Sequence, residues 1–441
     1  MPIPRTLLAI PLAVTLFGLT SASAPLAAKP ATDATLPLLV TRGKAPAAAL
    51  LAREAPWSMT EPGAPDPPPG QQAAQRPHWH FAHANQATAG DTTTDTDKNP
   101  AAPATGTEVE SEAKTANGTA TGSDPDTGTN TGHRTRTRTG SSADSDSAGR
   151  FSGARGTGEI TRIRRTDHFR AGSITKTFIA TVVLQLAAEH RLSLSDPVER
   201  HLPGLIRGKG LDGRTLALRA LLTHTSGLAD YTTDTKGLVP LTPTEAVRTA
   251  LAHPATTPGR WSYSNTNYVI LGMVIKQVTG RSYATETERR IITPLRLSGT
   301  SFPGTRTTLP SPHGRAYTGQ GQDVTALDPS VAGAAGELIS TLADLNRFYA
   351  ALLTGRLLPS PQLRQMFNTR AAEGRYGMGL YPQKLPCGTT VWGHNGRITG
   401  SYVRTAATRD GDRVLTFRVN TDEIADPDLE RTLLAAEFCP R

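Results

Sequence analysis

Cysteine is nearly absent: Cys387 and Cys439 are the only two in 441 residues. No thiol lies near the N-terminus, which argues against a lipid anchor there. Long apolar runs are equally scarce. The run from Leu7 to Leu19 is too short and too weakly flanked to read as a membrane span. Hydrophobic residues make up 37% of the chain, below the usual share for a folded protein, so part of the chain lacks the material of a core. The deficit is local. Between Phe81 and Phe151 the only large aliphatic residue is Val109. Such a stretch buries too little apolar area to offset its ordering entropy, so residues 60–148 read as a disordered Thr/Gly/Asp/Pro-rich insertion. Its start is marked by Pro62, Pro65, Pro67, Pro68 and Pro69, which stop regular structure. Within it, His78, Trp79, His80 and His83 have neither Cys nor carboxylates at ligand spacing, so no metal site is expected.

What is present begins with an export pattern over residues 1–28. Arg5 precedes the apolar run, and Thr20-Ser21-Ala22-Ser23-Ala24 supplies small residues before Ala27-Ala28. Pro25 disfavours a cut after Ala24, so cleavage is expected after Ala22 or Ala28. The mature protein is then expected to be a soluble monomer with no membrane span, outside the cytoplasm, at the cell wall. Formal net charge is +9. A basic balance suits nucleic acid or an anionic surface; export leaves the surface as the expected partner and removes nucleic acid. The alternation His133-Arg134-Thr135-Arg136-Thr137-Arg138 reads as a solvated segment, or as an adhesive one for anionic wall polymers. In an exported chain, Cys387 and Cys439 are expected to form one disulfide. It closes a loop of about 50 residues and is worth roughly 3–4 kcal/mol in the chain-entropy account.

Residues 36–57 and 150–441 carry the folded pattern. Leu36 to Val40 reads as the end of a helix and Ala47 to Arg53 as a strand running to Trp57. Phe178 to Ala188 leaves almost no polar face, the pattern of a buried helix. Thr242-Pro243-Thr244-Glu245 is a capping box opening a helix to about His253. Asn267 to Val278 is a further apolar helix, and Ser340 caps one that runs to Gly355. Later the period changes. Tyr376 to Tyr381 and Thr389 to Trp392 read as strands, and Ser401 to Thr408 with Val414 to Asn420 as a hairpin turning at Asp410-Gly411. A strand near 153–163 is expected to join them, and Asp428 to Phe438 is an amphipathic terminal helix. The fold class is α/β of the α+β type: an antiparallel sheet flanked by helices, with an all-helical subdomain inserted between its parts.

Three polar clusters interrupt this structural sequence. Ser173 and Lys176 lie three apart at the head of the buried helix, on one face, where the amine reaches the hydroxyl. Free backbone N–H groups at a helix start can serve an oxyanion, and burial keeps a lysine neutral enough to take a proton. Alone, the pair reads more readily as a capping serine followed by a solvated lysine. Tyr263-Ser264-Asn265 adds a phenol that can shuttle a proton and an amide that can both donate to and accept from a substrate. Trp392-Gly393-His394-Asn395-Gly396 follows at the end of a strand. There Gly396 admits close approach to the backbone, and His394 adds a polar side chain that can carry positive charge.

Ser173-x-x-Lys176, Tyr263-x-Asn265 and His394-x-Gly396, in this order, resemble the three-motif set of the serine penicillin-recognising enzymes. The Tyr-x-Asn and His-x-Gly forms are similar to those of class C β-lactamases and of secreted D-alanyl-D-alanine carboxypeptidases, the His form pointing to the latter. Leu222 to Leu228 (Leu-Thr-His-Thr-Ser-Gly-Leu) and Ala332 to Gly336 also look like this family. The resemblance implies a β-lactamase/transpeptidase-like fold and acyl transfer through a serine ester, without metal or cofactor. Ser173 is implied as nucleophile, with Lys176 and Tyr263 relaying the proton. The backbone N–H groups of Ser173 and Arg397 are implied as oxyanion donors. Asn265, His394, Gly396 and Arg397 contact substrate, with His394 orienting Tyr263 and adding positive potential. The implied substrate is a peptidoglycan stem peptide ending in D-Ala-D-Ala, with β-lactams as covalent ligands. An esterase or β-lactamase with the same site is the alternative, and a non-catalytic penicillin-binding sensor is another. Two departures stand out: the insertion over 60–148, and Arg397 where the better-known carboxypeptidases carry Thr or Ser beside the substrate carboxylate.

Overall fold

Alternation along one strand explains the layering. In β1 (Ala47–Glu54), Ala47, Ala49 and Leu51 face one core, while Ala48, Leu50 and Ala52 face another. A strand with both faces apolar belongs in the middle of a sandwich of helices. The computed structural model describes residues 32–54, 78–83 and 163–439, all within one compact unit of the chain. β1 lies in a six-stranded, wholly antiparallel sheet with β2 (His78–His83), β3 (Tyr381–Lys384), β4 (Thr390–Ile398), β5 (Ser401–Ala407) and β6 (Arg413–Val419). The spatial order is β2-β1-β6-β5-β4-β3.

On one face, α1 (Thr32–Thr41) and α6 (Asp428–Phe438) enclose a core of Leu36, Leu39, Leu50, Phe417 and Leu433. Cys439, just past α6, is bonded to Cys387 in the turn before β4. On the other face lie α2 (Thr175–Ala188), α3 (Pro243–Ala252), α4 (Asn265–Thr279) and α5 (Leu342–Leu353). Eleven of the fourteen residues of α2 are buried, so its lack of a polar face is satisfied by being surrounded. Phe178 of α2 stacks on Phe348 of α5 with ring centroids 3.6 Å apart. α5 docks on the sheet through Asn346. Its amide donates to the Leu51 carbonyl at 2.9 Å and accepts from Thr416 at 2.6 Å. Buried polar groups so paired lose little on leaving water.

Several sequence expectations shift. The capping box at Thr242 and Glu245 is present, but α5 is capped by Thr341 rather than Ser340. Tyr376 to Leu380 is not strand; the strand begins at Tyr381. β4 runs on to Ile398, so the His394 motif lies inside a strand rather than at its end. Residues 78–83, assigned to the disordered insertion, pair with β1 as the edge strand. Backbone pairing to a formed strand supplies the order that their composition does not. The strand expected near 153–163, the export segment 1–28 and most of 60–148 lie outside the described residues.

Candidate active site

The site forms where α2 starts against β4. β3 pairs with β4 only as far as Gly393, so beyond that point this side of β4 has no strand neighbour among the described residues. The single 3-10 turn over Gly172–Ile174, continuous with α2, packs there. The approach is backbone on backbone. A Cβ on Gly396 would lie 1.8 Å from the Ala171 carbonyl oxygen, and one on Gly172, at φ +52°, would lie 2.8 Å from Arg397 N. Neither position admits a side chain. Ser401 ties the same junction by donating to the Arg170 carbonyl at 2.8 Å.

This junction puts Ser173 at the floor of a cleft of about 400 Å³, with Tyr263, Asn265, Ala335 and Arg397 in its walls. Lys176 Nζ, fully buried, is within 2.8 Å of Ser173 Oγ, 2.7 Å of Asn265 Oδ1 and 2.7 Å of the Ala335 carbonyl oxygen. Burial pushes its pKa down to about 7, against the opposing pull of Asp230. A neutral amine keeps two N–H donors for Asn265 and Ala335 and turns its lone pair to the Ser173 hydroxyl. Tyr263 donates to Ser173 Oγ at 3.0 Å. Burial raises the Tyr263 pKa, so this group rests as a phenol. Lys176 and Tyr263 thus converge on the Ser173 hydroxyl, and Asn265 holds Lys176 in place.

Two groups to which the sequence reading gives no role, Asp230 and His224, complete the hub. Asp230 Oδ2 accepts from Asn265 Nδ2 at 2.9 Å, and its other oxygen accepts from the Thr232 hydroxyl and amide. Asp230 thereby fixes which end of the Asn265 amide faces Lys176. His224 stacks on the Tyr263 ring at 4.3 Å. Its Nδ1 is reached by Ser264 N and by Asn267 Nδ2. Burial and nearby Lys176 hold it well below the ordinary imidazole pKa, so it is a flat, uncharged support for Tyr263.

The third motif does not do what its sequence suggests. His394 is buried and does not line the cleft. Its Nε2 accepts from Tyr376, 2.8 Å away, and Nδ1 meets the Asn395 carbonyl. Burial, with Lys176 nearby, pushes its pKa down to about 3, so it carries no positive charge at neutral pH. It makes no direct contact with Tyr263; Tyr376 lies between them, and His224 is the ring that stacks on Tyr263. Gly396 likewise makes room for the Ala171 carbonyl rather than for substrate. Arg397 is exposed at the mouth of the cleft, 3.6 Å from the exposed Glu423. Its backbone adjoins the Ser173 turn, as the oxyanion role requires. Among the described residues no cluster of His, Cys, Asp and Glu suits a metal, and no helix is long and apolar enough to cross a membrane.

The family model described as Beta-lactamase matches residues 146–438. The chain belongs to the beta-lactamase family. It is a serine hydrolase of the superfamily that joins β-lactamases and penicillin-binding proteins. A D-stereospecific amidohydrolase from Streptomyces sp. is 34% identical, with a TM-score of 0.66 over 93% of this chain and 98% of that one. PbpX of Bacillus subtilis (strain 168), provisionally named a penicillin-binding protein, is 32% identical over 217 residues, 48% of this chain and 53% of that protein. Teichoic acid D-alanine hydrolase of Staphylococcus aureus (strain MRSA252) is 27% identical over 225 residues, again 48% and 53%. The match spans about half the length of these two curated relatives.

Proposed function

We propose that this chain is a D-stereospecific serine amidohydrolase, cleaving an amide or peptide bond whose carbonyl belongs to a D-amino acid. The observation that carries the reading is the Ser173 hydroxyl held between Lys176 Nζ and Tyr263 OH. The likeness along nearly the whole chain to a D-stereospecific amidohydrolase supports the D-configured acyl group. Ser173 Oγ bonds to the carbonyl carbon as its proton passes to neutral Lys176, and the oxyanion sits between the Ser173 and Arg397 N–H groups. Tyr263 donates a proton to the departing nitrogen, the C–N bond breaks, and Lys176 reprotonates Tyr263. Water then attacks the ester along the reverse proton path and frees Ser173 and the D-acid. Asn265 anchors Lys176 on one side and the substrate amide on the other.

D- and L-phenylalanine amide, tested side by side with chiral detection of the acid, decide the matter. Release of D-phenylalanine only, abolished by Ser173→Ala in a protein with unchanged thermal unfolding, is the expected result. Equal turnover of both enantiomers, or turnover that survives Ser173→Ala, overturns it.

A second reading has Arg397 in its favour. An exposed guanidinium at the mouth of the cleft suits the terminal carboxylate of a peptide ending in D-Ala-D-Ala. The same site then acts as a D-alanyl-D-alanine carboxypeptidase on peptidoglycan stem peptides and is acylated by penicillins. Release of D-Ala from such a peptide, lost in Arg397→Ala while amide hydrolysis persists, identifies this activity. Rapid hydrolysis of the drug instead identifies a β-lactamase. Export through residues 1–28 belongs to the same proposal, and N-terminal sequencing of protein recovered from culture medium tests it.

A further inference from the structure

Behind one wall of the cleft lies a second chamber of about 290 Å³, and Tyr231 lines both. Leu241, Ala246, Val269 and Met273 make its surface mainly aliphatic. Into it comes one buried acidic group, Glu337, whose residue is 3% exposed. Tyr283 donates to its Oε1 at 2.9 Å; its second oxygen has no partner among the described residues. Asp328 is the charge that acts on it, of the same sign. Lys276 stands exposed at the rim without an ion pair to Glu337 among the described residues. A carboxyl group left in this state costs stability that an apolar residue would not. Hydrolysis at Ser173 makes no use of it, since Glu337 does not line the catalytic cleft.

A concave apolar chamber with one convergent polar group has the character of a small-molecule site. A dry cavity of about 150 Å³ already admits benzene, so this one has room for a ring and a short chain. The free carboxylate oxygen selects the charge of the occupant. The wall between chamber and cleft is also chemically informative. Ala334 and Glu337 line the chamber, and between them the Ala335 carbonyl accepts from Lys176 Nζ at 2.7 Å.

We propose that this chamber binds a primary ammonium carried on a small apolar body. The ammonium sits on Glu337 and the hydrocarbon against Val269 and Met273, and occupancy alters Ser173 acylation through the Ala335 carbonyl. The site is independent of which substrate the cleft hydrolyses. 2-Phenylethylamine and its neutral counterpart 2-phenylethanol are the probes, with binding followed by calorimetry at pH 8. The amine is expected to bind at least tenfold more tightly than the alcohol, a preference lost in Glu337→Gln. Its binding should survive blockage of Ser173 by a fluorophosphonate. Equal affinity of the two probes for the wild-type protein overturns the site, and this comparison needs neither a variant nor Ser173 chemistry. Binding that vanishes when Ser173 is blocked assigns the amine to the cleft and also overturns it. The coupling is read as a change of at least twofold in the fluorophosphonate reaction rate at saturating amine. Tight binding with an unchanged rate overturns the coupling.

Discussion

Lowering the pH should switch off Ser173 acylation by protonating one buried amine. Burial pushes the Lys176 pKa from 10.5 down to about 7, with only Asp230 pulling the other way. Above this value the amine is neutral and its lone pair faces the Ser173 hydroxyl across 2.8 Å. Below it the third proton occupies that position, and the base is gone. The acylation rate should therefore rise tenfold per pH unit up to about 7 and level off above. At pH 5, two units below, about 1% of the amine is neutral, so the rate should fall about 100-fold from its plateau. Tyr263 does not shift this limb, because burial raises its own pKa. The assay is a time course of a fluorophosphonate or fluorescent penicillin, with a check that the fold persists at each pH. A rate unchanged between pH 5 and 9, or an apparent pKa near that of a free lysine, refutes Lys176 as the base. A limb that moves down by a unit or more in Asp230→Asn supports the electrostatic account, since Asp230 is the group opposing the shift.

Tyr263→Phe removes the donor to Ser173 Oγ and should cut kcat by about 10²–10⁴ with little change in thermal unfolding; a loss below threefold removes Tyr263 from the proton path. Asp230→Leu leaves the Asn265 amide free to turn its NH2 toward Lys176; kcat should fall about tenfold or more, and Asp230→Asn should recover part of it. Glu337 carries a carboxyl raised from 4.5 to about 7 by burial. The native state thus holds a proton that the unfolded chain has released, and its cost is full above pH 7 and fades toward pH 4.5. Glu337→Gln should therefore stabilise by on the order of 3 kcal/mol at pH 8 and by much less at pH 5, measured by urea unfolding; an equal gain at both pH values contradicts the burial argument.

The legible parts of the site were those set by local spacing. Ser173 and Lys176 meet because three residues of helix put them on one face, and the apolar run after them announces a helix with no exposed side. Tyr263 and Asn265 were legible as a polar interruption ahead of an apolar helix. The groups missed act from a distance. Asp230 is one acid in a loop until α4 brings Asn265 to it, and the stretch Ala332 to Gly336 looks family-like without showing that the Ala335 carbonyl holds Lys176. His224 stands in the sequence only as part of the family-like stretch Leu222 to Leu228, and tertiary packing is what stacks it on Tyr263. His394 was misjudged because its charge depends on burial, which a strand inside a two-faced sheet supplies and a sequence window does not. The edge strand at 78–83 was overlooked for a related reason: its order comes from β1, not from its own composition.

The contact of Gly396 with Ala171, and of Gly172 with Arg397, divides the cleft into unequal halves. On one side, main chain rests against main chain, so Ser173 and the Arg397 N–H group are held as one piece with no room for a side chain at Gly172 or Gly396. The opposite side is built from side chains and loops: Tyr231, Thr232, Lys236 and the stretch from Val331 to Gly336. Main chain thereby fixes where the Ser173 hydroxyl stands, and substitution has most freedom at those residues of the opposite half that hold neither Lys176 nor Asp230. A search for variants with a new substrate range therefore belongs at Lys236, Val331 and Ala332, with Thr232, which holds Asp230, and Ala335, which holds Lys176, left unchanged.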